Sequence, residues 1–342
     1  MPYELITIPC RSDNYAFLLR DHARGETLLV DVPAAAPILA ILKEKAWSLT
    51  HILLTHHHDD HVAGLADVLA VHPAQVIGAA ADQHRLPSLN RAVVAGDTLV
   101  IGSQRGRVMD VPGHTVGHLA VYFEAAKLLF SADSLMALGC GRLFEGDGPM
   151  MWTSMQKFLN MPDNTIVYSG HEYTQSNAKF ALSIEADNHD LIARAKRIDD
   201  ARERGMPTVP SSLAEEKATN PFLRADDPAV AAAVGLPATD PVAVFAEVRV
   251  EDDRLICGAG ARLKKVSIEA KQHDLSGLEF FEGIPGCVGG ALRMNAGAMG
   301  GCAFDALVSV RFMDYAGVIH DRDAAKLGSE YRCCPLFKDH VA

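Results

Sequence analysis

The chain predicts an α/β fold, on three observations: short apolar runs that each stop at a polar cluster, an intervening stretch with helical apolar spacing, and a Gly-rich tail of different composition. In chain order, His51 to Thr55 (HILLT) reads as a short buried strand. HVAGLADVLAVH, from His61 to His72, follows with apolar residues at helical spacing, so the histidines before it sit on a strand-to-helix loop. VMDVPGHTVGHLAVYF gives two strand candidates about a Pro-Gly turn; KLLFSADSL ends a strand at Asp133, and TIVYSGHEY ends another at His171. TDPVAVFAEVR, reaching Arg249, reads as a helix, and VEDDRLICGAG after it as strand-rich.

Composition narrows the function classes. With 342 residues, 49% of them hydrophobic, the chain can bury a large core and has room for two or three domains. It holds no apolar run of about 18 residues, and the start MPYELITIPCRSD has no basic region followed by an apolar one, so neither a membrane span nor a secretory signal is expected. A net charge of -11 without basic clusters excludes nucleic acid as an expected partner. Seven cysteines, an odd number with no CxxC pair, point to reduced thiols and a cytoplasmic protein. A monomer is expected.

The segment from Thr55 to His61, THHHDDH, carries the chemistry. Imidazole nitrogen and carboxylate oxygen are the ligands of zinc and related divalent metals. In an extended loop alternate side chains share a face, so His56 and His58 can grip one ion while His57 points away. Asp60 and His61, at the turn into the helix, face a second direction. Downstream, His114 in its Pro-Gly turn suits the His56/His58 set, whereas His118 reads as a buried histidine rather than a ligand. A carboxylate has two oxygens, so Asp133 can bridge two cations. With His171, these make seven candidate ligands on four strand-end loops.

The motifs PCRSDNYAFLL, LLVDVP, THHHDDHVAG, VPGHTVGH, CGRLFEG, YSGHEYT and TVPSSLAEEKATNPFLR occur in that order, and residues 1 to 249 resemble the metallo-β-lactamase superfamily, within it the hydroxyacylglutathione hydrolases (glyoxalase II). The last motif is the most specific, because the superfamily core is shared by many hydrolases. The resemblance implies an αββα sandwich, residues 1–170, followed by a small helical substrate-binding domain, residues 171–249. It implies one metal on His56, His58 and His114, another on Asp60, His61 and His171, and Asp133 bridging, with zinc the first choice and iron or manganese possible. Two metals about 3.5 to 4 Å apart share and deprotonate a water, and Asp60 and Asp133 hold that hydroxide for attack on the thioester of S-D-lactoylglutathione, giving glutathione and D-lactate in methylglyoxal detoxification. A thiol leaves readily as thiolate, so no strong general acid is required. The partner implied is a small anionic molecule. Two dications with Asp60, Asp133 and hydroxide still sum to about +1. Arg142 and Arg224 offer guanidinium forks for the glutathione carboxylates, and Tyr173 falls where the family touches the peptide part of the substrate. Phe144 stands where some members carry Tyr, and Asp227 where some carry Lys. The competing readings are another activity of the same superfamily, such as a mononuclear iron persulfide dioxygenase, and a bifunctional fusion with a flavin reductase.

Five of the seven cysteines fall in residues 250–342, which are also Gly-rich. Through GLEFFEGIPG, GGALRMNAGAMGG and Tyr331-Arg332 this stretch resembles part of UDP-N-acetylenolpyruvoylglucosamine reductase, an α+β flavoprotein whose Gly-rich segment lies along the flavin. Cys287 and Cys334 replace serines of that family. The amino-terminal half of its flavin domain and its substrate domain have no counterpart here, so neither FAD nor reductase activity is expected. The junction lacks a Gly/Ser or Pro linker. A natural fusion, a truncated remnant and a joining artefact are all compatible with it.

Overall fold

The structure, a computed structural model, describes residues 3–250, 255, 257, 259–272, 275–298, 301–313, 319–327 and 334. The chain divides into two compact units, Met1–Val248 and Arg249–Ala342.

The first unit is built on two six-stranded sheets. One orders β1 (Tyr3–Cys10), β2 (Asn14–Asp21), β3 (Glu26–Val30), β4 (His51–Leu53), β5 (Gln75–Ala79) and β6 (Arg91–Val93). The other runs β14 (Ser211–Ser212), β13 (Ile166–Ser169), β10 (Leu128–Ala132), β9 (Leu119–Phe123), β8 (Gln104–Asp110), β7 (Thr98–Ile101), and a small hairpin pairs β11 (Leu135–Met136) with β12 (Gly139–Cys140). Side chains alternate between the two faces of a strand, so the continuous apolar runs of β2, β9 and β10 bury both faces, while β7 and β8 alternate buried with exposed residues. On β2, Tyr15, Phe17 and Leu19 join the core between the sheets with Val121, Phe123 and Phe130. The alternate residues Ala16 and Leu18 pack outward against Ile38 and Leu42 of α1 (Ala35–Lys45) and Val68 of α3 (Leu65–Val71). The second sheet mirrors this: Ala120, Tyr122 and Leu129 face Met151, Trp152, Met155 and Phe158 of α4 (Gly148–Leu159). Helices on both outer faces make the αββα layering.

The helix expected from His61 to His72 is two pieces, α2 (Asp59–Val62) and α3. The break comes from a tertiary contact: the Gly64 amide donates to the Val32 carbonyl at 2.9 Å, and a Cβ there would lie 2.7 Å from the Ala35 nitrogen.

After His171 come α5 (Thr174–Ile184), α6 (His189–Glu203), α7 (Leu213–Thr219), α8 (Pro228–Ala233) and α9 (Pro241–Val250). Val230 of α8, Val244 and Phe245 of α9, and Phe222 between α7 and α8 share the core of the second sheet's outer face with Met151 and Trp152, so the helical segment is packed onto the sandwich. Glu172 ties it down: its carboxylate accepts from Tyr15 Oη at 2.5 Å, Thr208 N at 2.8 Å and Thr208 Oγ1 at 2.5 Å.

In the second unit α10 (Leu263–Gln272), a 3₁₀ turn at Glu279–Gly283 and α11 (Val288–Arg293) enclose Leu263, Val266, Phe280, Phe281 and Ala291. Two hairpins follow, β15 (Gly297–Ala298) with β16 (Gly301–Cys302) and β17 (Ser309–Met313) with β18 (Ile319–Asp323). The described part of the Gly-rich motif is thus a short helix and strands of an antiparallel pair. Cys287 occupies the N-cap of α11 without a side-chain cap, a position where a serine hydroxyl would accept a backbone hydrogen bond. Tyr331-Arg332 and most of VEDDRLICGAG lie outside the described residues. Among the described residues no helix is long and apolar enough to cross a membrane.

Candidate metal centre

Strand direction assembles the site. β1, β3 and β4 run parallel to one another, as do β8, β10 and β13, so each set ends at one edge of its sheet. The two edges are laced together where the Leu119 amide donates to the Thr55 carbonyl at 2.9 Å and the Tyr15 amide to the Gly170 carbonyl at 2.7 Å. The segments leaving these ends carry His56 and His58 in the loop after β4 and Asp60 and His61 in α2, then His114 after β8, Asp133 after β10 and His171 after β13.

All seven converge. His58 Nδ1 lies 3.1 Å from His56 Nε2 and 3.0 Å from His114 Nε2. His171 Nε2 lies 3.3 Å from both His61 Nε2 and Asp60 Oδ2. Asp133 Oδ2 is shared, 3.5 Å from His114 Nε2, 3.4 Å from His61 Nε2 and 3.2 Å from His171 Nε2. The groups able to hold an ion are His56/His58/His114, Asp60/His61/His171 and, with Asp133 between them, His56/His61/Asp133.

The outer hydrogen bonds decide what faces inward. The His61 Nδ1–H donates to Asp31 Oδ2 at 2.8 Å, His171 Nδ1–H to Asp13 Oδ1 at 3.1 Å, and His114 Nδ1–H to the Arg142 carbonyl at 2.8 Å. Thr55 Oγ1 gives its proton to Asp31 Oδ2 at 2.8 Å, leaving its lone pair for the His56 Nδ1–H at 3.0 Å. Neutral rings so oriented aim bare nitrogens at one another and at two carboxylates. Acceptors about 3 Å apart with no donor between them repel, and a divalent cation is the group that removes the conflict. The chain therefore carries a divalent-metal site.

In the metal-free state protons are drawn to the place an ion would take, between the His61 and His171 rings and the carboxylates. Burial opposes a proton on His61, but Asp133 and Asp31 overcome it and push the ring up to about 10. Burial is likewise overcome at His171, raised by Asp133, Asp13 and Asp60. Burial would raise Asp133, yet the His171 and His61 rings hold it well below the usual carboxylate range. His114 goes the other way, pushed by burial down to about 4.

Two glycines frame the shared carboxylate. A Cβ on Gly141 would meet the Asp133 carbonyl at 1.9 Å, and one on Gly170 would meet Asp133 Oδ1 at 2.2 Å and His61 Cε1 at 2.9 Å. Gly170→Ala should therefore displace Asp133 and weaken metal retention about 10- to 100-fold, the scale of a lost ligand-orienting contact. Competition with a chelator measures it, and unchanged retention would show that the carboxylate has room to move.

The remaining sequence-predicted residues fall in three places. Phe144, 48% exposed, lies over His58 and His114 with ring centroids 5.4 and 5.2 Å away, and Tyr173, 39% exposed, stacks on His171 at 4.7 Å, so both aromatics rim the cluster. Arg142 contributes its carbonyl to His114. The Arg224 fork is engaged within the helical segment, with Nε 3.0 Å and Nη2 2.8 Å from the two Glu185 oxygens and Nη2 2.8 Å from Asp227. As expected, His57 turns away, its Nδ1 2.8 Å from Asp82. His118 is buried and stacks on His56 at 4.7 Å. Sequence reading passed over Asp13, Asp31 and Asn14, whose amide donates to Asp60 Oδ2 at 2.9 Å. Asp31 carried the same signal as Asp133, an apolar strand ending in Asp within LLVDVP.

Known proteins resemble the chain in three stretches. Residues 12–171 match the metallo-beta-lactamase superfamily, residues 172–255 the hydroxyacylglutathione hydrolase C-terminus, and residues 240–322 an FAD binding domain. Solved structures similar to the chain include a B3 metallo-beta-lactamase, BLEG-1, at TM-score 0.51 and 22% identity, covering 64% of this chain and 99% of that one. ETHE1 from Myxococcus xanthus is similar at TM-score 0.50 and 23% identity, covering 72% of this chain and 89% of that one. At such identities these two speak for the fold. The hydroxyacylglutathione hydrolase of Jannaschia sp. is 58% identical over 250 residues, 73% of this chain and 98% of its own length. That of Cereibacter sphaeroides is 56% identical over 253 residues, 74% of this chain and 99% of its own length, which leaves about a quarter of this chain as an addition. Through its first three-quarters, the chain belongs to the hydroxyacylglutathione hydrolase family of the metallo-beta-lactamase superfamily.

Proposed function

We propose that the first unit hydrolyses S-2-hydroxyacylglutathione thioesters, S-D-lactoylglutathione first among them, to glutathione and the free hydroxy acid, as the second step of methylglyoxal detoxification in the cytoplasm. One observation carries the reading: seven inward-facing acceptors on the strand-end loops, with Asp133 Oδ2 within 3.5 Å of nitrogens from both ligand sets. Two divalent ions are proposed per chain, zinc in the first place, since His and carboxylate donors suit it and availability decides among its rivals. When bound, such a pair supplies a nucleophile from water at neutral pH and polarises the carbonyl under attack.

The protein's own share is positional. Asp31, Asp13, Thr55 and the Arg142 carbonyl fix the ring tautomers, and Asn14 holds Asp60, so the ligands need little reorganisation. Phe144 and Tyr173 offer apolar walls on either side of the cluster, leaving the reacting carbonyl between them. No residue has to protonate the leaving group, because a thiol of pKa about 8.5 departs as thiolate. Arg142 and Arg224 remain our candidates for the substrate carboxylates; Arg224 would exchange its Glu185 and Asp227 partners for substrate.

For the second unit we propose that no flavin is held and no reduction occurs, since contacts from both halves of a flavin domain normally enclose the cofactor. A single preparation tests both units. The full chain, loaded with zinc, should cleave S-D-lactoylglutathione with loss of thioester absorbance and should be colourless. Hydrolysis no faster than in buffer would refute the first reading, and stoichiometric flavin absorbance the second.

A further inference from the structure

A charged network beneath the Gly141–Gly146 loop has no part in the reaction as described. Glu145 accepts on Oε2 from the Val116 amide at 2.8 Å and from Arg85 Nη2 at 3.1 Å, and its Oε1 pairs with Arg85 Nη1. Arg85 in turn holds Asp82 Oδ1, 2.6 Å from its Nε, while Asp82 Oδ2 takes His57 Nδ1 at 2.8 Å. Asp82 is fully buried, and Gly117 packs so closely on it that a Cβ there would lie 2.6 Å from the Asp82 Cβ. The chain of links runs from that buried carboxylate outward to Glu145, one residue from Phe144.

Phe144 needs such support. It is 48% exposed, its ring contacts are the imidazoles of His58 and His114, and its amide makes only a long 3.3 Å bond to the His114 carbonyl. An aromatic pair contributes about 0.5–1.5 kcal/mol, too little to order a surface loop by itself. Beyond Glu145, Gly146 N donates to the Gly113 carbonyl at 3.0 Å, and Asp147 caps α4 by accepting from Met150 N at 2.9 Å. On the other side of Phe144 the Arg142 carbonyl accepts from His114 Nδ1 at 2.8 Å.

We propose that Glu145, clamped through Arg85 to Asp82, is a positioning residue that holds Phe144 over the His58/His114 side of the cluster as a wall of the substrate site. The proposal rests on the thioester-hydrolase reading for its kinetic consequence but not for its structural one.

The test is a double-mutant cycle on the full zinc-loaded chain. Glu145→Ala and Phe144→Ala should each raise KM for S-D-lactoylglutathione about tenfold, near 1.4 kcal/mol of binding, with kcat and metal content unchanged. The double variant should be no worse than either, because one removes what the other holds. Glu145→Gln keeps an acceptor for Val116 and should recover part of the loss; Arg85→Ala should reproduce it. Hydrogen exchange supplies the readout independent of activity: amides 141–146 and Val116 should exchange faster in Glu145→Ala and not in Phe144→Ala. Additive KM effects, or unchanged exchange in Glu145→Ala, would overturn the clamp. A wild-type chain inert toward the thioester would sink the proposed function, while exchange would still decide the clamp.

Discussion

Asp133→Asn is expected to cost the chain its metal and at least about 10³-fold in thioester hydrolysis. The reasoning is electrostatic: one oxygen of Asp133 lies within 3.5 Å of His61, His114 and His171 nitrogens, so it is the charge that both ligand sets share. An amide of the same size keeps the packing but presents one neutral oxygen and an N–H donor. A donor aimed at cationic ions is repelled, and a loss of several kcal/mol of stabilisation corresponds to a thousandfold or more in rate. Metal analysis, kcat and thermal unfolding should be read together. A variant with native metal content and rate would show that Asp133 is not the shared ligand.

Asp31→Asn should lower metal affinity about 10- to 100-fold although Asp31 touches no ion in this account. Asp31 accepts from the Thr55 amide and Oγ1 and from His61 Nδ1, each at 2.8 Å, with its own backbone at φ 57°, a conformation asparagine also tolerates. If the amide NH₂ replaces the oxygen facing His61, the ring must accept at Nδ1 and carry its proton on Nε2, toward the cluster. The substitution thus changes a tautomer rather than a shape. Competition with a chelator gives the affinity, and NMR of the ring nitrogens the tautomer; unchanged values for both would remove Asp31 from the account.

The ligand set was legible in the sequence because it obeys local rules. Runs such as HILLT and KLLFSA are buried on both faces, so polar residues can appear only where the strand stops, and a run of histidine and aspartate there stands out. Their convergence also follows from direction, since parallel strands end at one edge. What stayed hidden depends on distant partners. Asp13 and Asp31 look like ordinary turn residues until His171 and His61 arrive from 158 and 30 positions away. The break at Gly64 needs the backbone of Val32–Ala35 against it, and the pairing of Arg224 with Glu185 spans 39 positions. Hydrophobic periodicity carries none of that information. The change of composition beyond residue 250, a rise in Gly and Cys, is legible for a different reason, since it needs no partner elsewhere in the chain.

The most direct measurement is calorimetric titration of the metal-free full chain with zinc at about pH 7.5 in buffers of different ionisation enthalpy. In the metal-free site Asp133 and Asp31 raise His61 to about 10, and Asp133 raises His171 as well, so both rings are protonated there at that pH. Ligands must be deprotonated to bind. Raised values mean that protons compete with metal below them, so apparent affinity should climb with pH until about 10 and fall as pH drops. Two ions should bind per chain with release of about two protons from the rings, plus any from bound water. Uptake of a single ion, or uptake with no proton release, would contradict it.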